Sequence, residues 1–154
     1  MDTQVSKYWL EKLFLTLKDS QSSVLLRGLS RNQICIGVAT DKKHTICFFE
    51  GYGKPSQKRS YETFINHIAP NSTLIHDKEN THKKLVEKLS LKSVCYPSKE
   101  LKYLADSENP LEPVNRVHCL LKMFLNAHSG FSRDDLQGYL DLYSFHYPQL
   151  KSSE

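Results

Sequence analysis

The sequence lacks the features of membrane, exported and disulfide-bonded proteins. No stretch approaches the roughly 20 apolar residues that a membrane-spanning helix requires, and no apolar segment with a small-residue cleavage site follows the N-terminus. The four cysteines, Cys35, Cys47, Cys95 and Cys119, are widely spaced and include no CxxC pair, so neither a disulfide framework nor a zinc site is indicated. We therefore expect a soluble cytoplasmic protein, free of membranes, whose thiols are reduced and buried.

Long runs of one charge, internal repeats and low-complexity segments are also missing. Lys and Arg together number 21 and Asp and Glu 17, which gives a net charge of +4. Without a Lys/Arg tract, this mild positive charge permits a nucleic acid partner but does not require one. The length of 154 residues and the 39% hydrophobic content suit one domain with a real core. We expect residues 1–154 to form that single domain.

Apolar and β-branched patterns predict strands and helices in the first two thirds of the chain. Ile34, Ile36, Val38 and Thr40 alternate at period two, and a second β-rich run after a short polar turn predicts a hairpin over residues 33–53. The complete prediction has strands at residues 8–17, 33–40, 45–53, 72–76 and 93–97, and helices at 57–68 and 81–89, the latter capped by Asn80 or Thr81. This β-β-β-α-β-α-β order predicts an α/β fold with a mixed sheet of about five strands flanked by helices.

Two helices are predicted to end the chain, after a polar loop at residues 98–113. The first covers residues 114–128 and separates into an apolar face and a polar stripe. Asn115, His118 and Lys122 lie together on the polar stripe. The second is expected to begin near Ser132 and to end at Pro148.

Taken one at a time, the polar residues that could carry chemistry have ordinary structural interpretations. Asp77 follows an apolar run and is typical of a turn residue that ends a strand. Asn115, soon after a proline, is typical of a helix N-cap, and Lys122 of a solvated helix face. The chain also contains His76, His82, His118 and His128, but no pair has i, i+4 spacing together with a further ligand, so the sequence does not predict zinc.

Longer motifs in the sequence resemble a known family. The segments NSTLIHD, NPLEPVNRVHCLLKMFLNAHSGF and DDLQGYLDLY are similar to the catalytic domain of insertion-sequence transposases of the ISXO-like branch. In that branch an aspartate after a central strand is followed by an asparagine and then by a lysine. Here Asp77 is followed by Asn115 at 38 positions and by Lys122 seven positions later. The resemblance covers about residues 24–145 and is strongest at residues 109–131.

The resemblance implies an RNase H-like fold and metal-dependent DNA cleavage and strand transfer at transposon ends. Asp77 and Asn115 would be ligands of two Mg²⁺ or Mn²⁺ ions, which suits oxygen donors that converge from distant segments. Lys122 would hold a DNA phosphate. The implied DNA contacts also include His118, Arg27 and Arg31. The implied partners are DNA at transposon ends and a second copy of the chain in a homodimer, in a bacterial cytoplasm and on the nucleoid when bound to DNA.

The sequence departs from the family pattern at the first metal ligand. The family has an aspartate followed by glutamate in the first strand, and no Asp-Glu pair occurs in this chain. Glu11, followed by Lys12, stands at about the expected place. Its extra methylene displaces the carboxylate, and catalytic sites lose activity steeply with errors near 1 Å. A separate N-terminal DNA-reading region is not expected either, so the sequence predicts a truncated, catalytically weak or inactive remnant.

Two other functions fit the same sequence. The chain could be a non-enzymatic DNA-binding module that occupies transposon ends, which requires salt-sensitive and metal-independent binding. It could also be a plain interaction domain without a role on DNA. In that case substitution of Asn115 or Lys122 would change no measured binding.

Overall fold

The structure is a computed structural model that describes residues 6–16, 33–77, 80–127 and 133–151. Its strands are β1 (Lys7–Thr16), β2 (Gln33–Thr40), β3 (Thr45–Tyr52), β4 (Thr73–Asp77) and β5 (Lys92–Tyr96). Its helices are α1 (Gln57–Phe64), α2 (Lys83–Leu89), α3 (Ser98–Leu101), α4 (Glu112–Ala127) and α5 (Leu136–Lys151). Short 3-10 turns cover Asn80–His82, Asp106–Glu108 and Arg133–Asp135. The predicted order of strands and helices is confirmed.

The five strands form one mixed sheet in the order β3-β2-β1-β4-β5. The β1–β2 and β2–β3 pairs are antiparallel, whereas β1–β4 and β4–β5 are parallel. The parallel ladder between β1 and β4 pairs Lys7 with Thr73 and continues only to Trp9 and Ile75. Strand β1 is therefore central, and only its N-terminal residues pair with β4.

Helices cover both faces of the sheet. Leu10 and Leu74 pack against α1 and α2 on one face, whereas Trp9 and Leu13 pack against α4 and α5 on the other. Because side chains alternate along a strand, Glu11 points to the α4 face and Lys12 to the α1 face. Both faces are buried, so each of these charged residues requires partners inside the protein.

Specific hydrogen bonds position α4 and α5 on the sheet. The Trp9 indole Nε1 donates to the carbonyl of Pro110 at 2.9 Å, just before α4 begins. The Tyr143 hydroxyl of α5 donates to the carbonyl of Val117 in α4 at 3.4 Å. The Gln137 amide accepts from the Phe49 N–H at 2.8 Å and donates to the Cys47 carbonyl at 3.1 Å, so it pairs the outer edge of β3.

A buried ion pair occupies the α1 face of the central strand. The Lys12 Nζ lies 2.6 Å from Glu50 Oε1, with only 1% and 0% of the two side chains exposed, and Nζ also donates to the Ser60 hydroxyl at 3.0 Å. Gly37 makes room for this contact, because a Cβ there would lie 2.6 Å from the Phe64 ring and 2.9 Å from Glu50 Oε1. The ion pair is thus enclosed by the core.

Several local predictions were wrong. Residues 98–113 contain α3, a 3-10 turn and the first turn of α4 rather than a continuous loop. Neither Asn80 nor Thr81 caps α2, because a 3-10 turn precedes that helix and the Thr81 hydroxyl is buried without a partner. Helix α5 continues three residues beyond Pro148, since a proline in a last turn removes only one backbone donor.

The cysteine prediction was half right. All four thiols are free, and Cys35 and Cys47 are buried, but Cys95 and Cys119 are exposed. Cys95 lies on the outermost strand and Cys119 on the solvent side of α4, where the apolar neighbours in sequence point elsewhere. Among the described residues, no helix has the length and apolar character needed to cross a bilayer.

Removing the charge of Glu50 should strongly destabilise the protein. In Glu50→Gln the Lys12 ammonium stays buried without its counter-charge, and we expect a loss of about 3–5 kcal/mol in the free energy of unfolding. The exposed pair of Lys58 and Glu62, 4.0 Å apart on α1, provides the control, because Glu62→Gln should cost under about 1 kcal/mol. Urea unfolding of the two variants measures the difference, and equal losses would contradict it.

Candidate active site

Two carboxylates meet where the β1–β4 ladder ends. The backbone N–H of Asp77 donates to Glu11 Oε1 at 2.6 Å, and the two side chains also share a hydrogen bond. This contact continues the pairing of β1 and β4 beyond Trp9 and Ile75, with a side-chain oxygen in place of a backbone carbonyl. Glu11 is itself buried at 8% exposure. The structure therefore places the Glu11 carboxylate beside the backbone of Asp77.

The environment of Asp77 favours a positive charge beside it. Burial raises the pKa of the Asp77 carboxyl above its ordinary value, and the hydrogen bond with Glu11 and the nearby His76 offset this only in part. Its Oδ1 is buried and has no hydrogen-bond partner. An unpartnered buried carboxylate oxygen is costly in the absence of a proton or cation. The position can thus accept an additional electropositive ligand.

The polar stripe of α4 faces this pair of carboxylates through His118. The His118 ring hydrogen-bonds to the backbone carbonyl of Glu11, and its Nε2 is buried without a partner. Burial and, to a smaller extent, the positive charge of Lys122 one turn later lower the pKa of His118, which is about 4 after the opposing effect of the Glu11 hydrogen bond. His118 is therefore a neutral imidazole at neutral pH, and Lys122 is the exposed cation beside it.

Asn115 lies one helical turn before His118 and is exposed. It lines a pocket of about 310 Å³ together with Asp106, Asn109, Glu112, Arg116 and Cys119. Asp77 is not part of that pocket lining. The structure therefore links Asp77 to Glu11, Glu11 to His118, and His118 to the charge of Lys122, whereas Asn115 lines the separate pocket.

A further cluster adjoins Asp77 on the opposite face of the sheet. His76, Asp77 and His82 each offer a ligand atom within 4.8 Å of the others, and the His76 and His82 rings are buried. Sequence reasoning missed this cluster, because the two histidines are six residues apart and join a strand to a 3-10 turn instead of sharing a helix. One sequence signal could have indicated this cluster: a histidine at an inward position of a strand, followed by a second histidine at the start of the next helix.

Further basic residues have other contacts or lie outside the described part of the chain. Arg27, Arg31 and His128 lie outside the described residues, so their predicted roles stay predictions. Arg59 donates to the carbonyls of Tyr52 and Lys54 at 3.1 and 3.0 Å. Its guanidinium thereby ties the end of β3 to α1.

The donor set at the carboxylate pair fits a divalent cation. Carboxylate oxygens are the preferred ligands of Mg²⁺ and Mn²⁺, and Asp77 Oδ1 is a buried oxygen without a hydrogen-bond donor. Glu11 Oε1 is already engaged by the Asp77 N–H. Asp77 can therefore offer an unpartnered oxygen to a cation, whereas the hydrogen bond at Oε1 limits how the Glu11 carboxylate can approach the same cation.

Comparisons with known proteins agree with this architecture. No protein-family model and no curated protein matches the sequence. Among solved structures, the chain is similar to the catalytic domain of Mos1 mariner transposase, with a TM-score of 0.55 and 14% identity, over 91% of this chain and 70% of that one. The chain has the RNase H-like fold of a transposase catalytic domain.

A second match is the Mos1 transposase paired-end complex with the left transposon end. Its TM-score is 0.48 at 13% identity, over 96% of this chain and 53% of that chain, so the chain spans about half the length of that transposase. At such identities the likeness concerns the fold alone. The RNase H-like prediction is confirmed, whereas the ISXO-like branch stays a prediction.

His118 should make the stability of the protein depend on pH. Its pKa falls from 6.5 to about 4 on folding, so the unfolded chain binds the proton first as the pH falls. Stability due to this group is therefore complete above about pH 6.5 and is lost towards pH 4, on the order of 3 kcal/mol in total. We expect His118→Gln to remove this part of the pH dependence.

Urea unfolding between pH 7.5 and pH 4 measures the difference between the wild-type chain and His118→Gln. The control is His146→Gln, at an exposed position on α5, which should leave the profile unchanged. Identical pH profiles of wild type and His118→Gln would show that the ring titrates alike in the folded and unfolded states.

Proposed function

We propose that the chain is the catalytic domain of an insertion-sequence transposase that cleaves and joins DNA at transposon ends with divalent metal ions, and that its activity is weak. The observation that carries this proposal is the contact between Glu11 on the central strand and Asp77 at the end of its parallel neighbour. The RNase H-like fold and the polar stripe of α4, which contacts Glu11 through His118, support it.

Each residue of the site has a role that follows from its chemistry. The Asp77 carboxylate is the principal metal ligand, and Glu11 is the second carboxylate. Asn115 at the rim is an oxygen donor from α4, and Lys122 holds a DNA phosphate with its exposed ammonium. His118, neutral and packed on the Glu11 backbone, keeps α4 at a fixed distance from the carboxylates and offers its Nε2 to an incoming group.

The bound ions supply activation of a water or 3′-hydroxyl and stabilisation of the leaving oxygen. The protein supplies the position of the oxygens and the binding of the DNA backbone. Because Lys122 is two turns from Asn115 along one stripe of α4, both side chains can face the same DNA strand.

The weakness of the activity follows from the position of Glu11. Its Oε1 is held by the Asp77 N–H at 2.6 Å, so one of its two carboxylate oxygens already accepts a short backbone hydrogen bond and this contact constrains the position of the group. Site geometry off by about 1 Å can cost about 100-fold in rate. Glu11 thus acts partly as a structural link between β1 and β4.

A second candidate function is a non-enzymatic module that binds transposon ends. The exposed Lys122 and the net charge of +4 favour it, since phosphate contacts need only positive charge. It differs from the catalytic proposal in requiring no metal.

Cleavage of a labelled transposon-end duplex tests the catalytic proposal. We expect slow cleavage that needs Mg²⁺ or Mn²⁺ and falls at least about 100-fold in Asp77→Ala, because that variant loses the main metal ligand. The control Glu100→Gln removes an exposed carboxylate on α3 and should keep the wild-type rate. A labelled duplex of unrelated sequence, assayed in parallel, shows whether the chain cleaves transposon ends selectively.

Metal-independent binding that weakens with salt, with no cleavage at any metal concentration, would instead favour the binding module. Absence of both cleavage and DNA binding would contradict both functions and leave an interaction domain. Fast, efficient strand transfer by the wild-type chain would contradict the proposed weakness.

Glu11→Asp should raise the metal-dependent cleavage rate. The shorter side chain withdraws from the Asp77 N–H and leaves its carboxylate free for the cation, so we expect about a tenfold gain in rate. The lost hydrogen bond should lower stability by about 1 kcal/mol. Cleavage assays and urea unfolding on the same preparation measure both effects, and Glu11→Gln, which keeps the length but removes the charge, should show no gain.

A further inference from the structure

We propose that His76, His82 and Asp77 form a binding site for a divalent transition metal such as Zn²⁺, on the sheet face opposite α4. The inference rests on the geometry of these three residues and not on the proposed transposase function. Each residue offers one ligand atom, and these atoms all lie within 4.8 Å of one another.

The separation of the two imidazoles matches a shared metal ion. His76 Nδ1 and His82 Nδ1 are 3.3 Å apart, and the rings are nearly perpendicular at 82°. Two nitrogens each about 2.0–2.1 Å from a tetrahedral Zn²⁺ are separated by roughly 3.3–3.4 Å. By contrast, 3.3 Å is long for a direct hydrogen bond between nitrogens.

The metal-free arrangement leaves nitrogen atoms unsatisfied. His82 is fully buried, and its Nε2 has no hydrogen-bond partner. With one proton on each neutral ring, the Nδ1–Nδ1 contact allows only one ring to donate, and His82 Nε2 is then either a buried acceptor or a buried donor without a partner. A metal between the two Nδ1 atoms replaces this weak contact with two coordinate bonds.

The surroundings provide the support that metal-bound histidines usually have. His76 Nε2 lies 2.7 Å from the Ser93 hydroxyl on β5, which fixes the ring orientation and its tautomer. Asp77 Oδ1 is buried without a partner, and a carboxylate oxygen of Asp77 lies within 4.8 Å of the ligand atoms of both histidines. The nearby positive charge of Lys12 is offset by Glu50 at 2.6 Å.

The ligand chemistry selects the metal class. Two imidazoles and one carboxylate suit Zn²⁺ and its first-row neighbours, whereas Mg²⁺ prefers oxygen ligands. Three protein ligands leave one coordination position for water or another donor. The site is thus distinct from the carboxylate pair of Glu11 and Asp77 in both metal preference and sheet face, although Asp77 belongs to both.

Zinc titration of the purified chain by calorimetry, together with thermal unfolding, tests the site. We expect one Zn²⁺ per chain and a rise in Tm of about 5–10 °C at a 100-fold excess over Kd. Co²⁺ loading should give the visible absorption of a tetrahedral site, and X-ray absorption of the zinc-loaded wild-type chain should show two imidazole ligands. These wild-type measurements depend on no variant.

Variants then locate the site. Ser93→Ala, at an exposed position, should fold normally and weaken Zn²⁺ binding about 10- to 100-fold, and a folded His82→Gln should abolish it. Glu11→Gln should retain zinc binding, which separates this site from the proposed catalytic pair. His44→Gln alters an exposed histidine 3.5 Å from Asp41 and serves as a matched control that should change nothing.

Absence of zinc binding to the wild-type chain would overturn the proposal. So would binding unchanged in Ser93→Ala and in folded His82→Gln, or lost in His44→Gln, because each result would place the ion elsewhere. Zinc ligands dominated by sulfur in the absorption spectrum would point to the exposed Cys95 or Cys119 and would also overturn it.

Discussion

The register of the central strand β1 is the constraint on which the rest of the structure depends. Glu11 and Lys12 are consecutive, so they point to opposite faces of a sheet that is covered on both sides. A slip of one residue would exchange the two faces and would place a lysine beside Asp77 and a glutamate beside Glu50. The eight-pair ladder from Trp9–Thr40 to Thr16–Gln33 fixes this register, and the Trp9 bond to Pro110 fixes the helix above it.

Burial of opposite charges on the two faces makes that register costly to violate. A charge inside a protein loses hydration that only a close partner can replace. Lys12 finds Glu50 and Ser60 on one face, and Glu11 finds the Asp77 N–H on the other. The same contacts therefore specify the fold and deliver a carboxylate pair to the end of β4. The stability of the sheet and the proposed chemistry therefore both depend on Glu11.

The sequence could predict the elements because their signals are local. Period-two alternation over residues 33–40 predicted β2 to the residue, and the separation of apolar residues from the polar stripe of Asn115, His118 and Lys122 predicted which face of α4 packs into the core. The member of that stripe that reaches β1 depends on the rotation of α4 about its axis. Long-range contacts at Trp9 and Tyr143 position α4 on the sheet, and His118 hydrogen-bonds to the Glu11 backbone. The His76–His82 contact joins β4 to the following 3-10 turn, and the Lys12–Glu50 pair joins β1 to β3 across β2. Both contacts depend on the tertiary fold, so helical spacing rules do not predict them.

Asp77 is the last residue of β4, and the β1–β4 ladder stops two residues before it. Its Oδ1 is buried without a hydrogen-bond partner, and a carboxylate oxygen of the same side chain lies within 4.8 Å of ligand atoms of His76 and His82. If the two proposed ions were both bound through this carboxylate, each would change the affinity for the other by the same factor, because linkage is reciprocal. The oxygen ligands on the α4 face favour Mg²⁺ or Mn²⁺, whereas the imidazoles on the α2 face favour Zn²⁺. The two proposed metal sites therefore differ in ligand chemistry and share the Asp77 carboxylate.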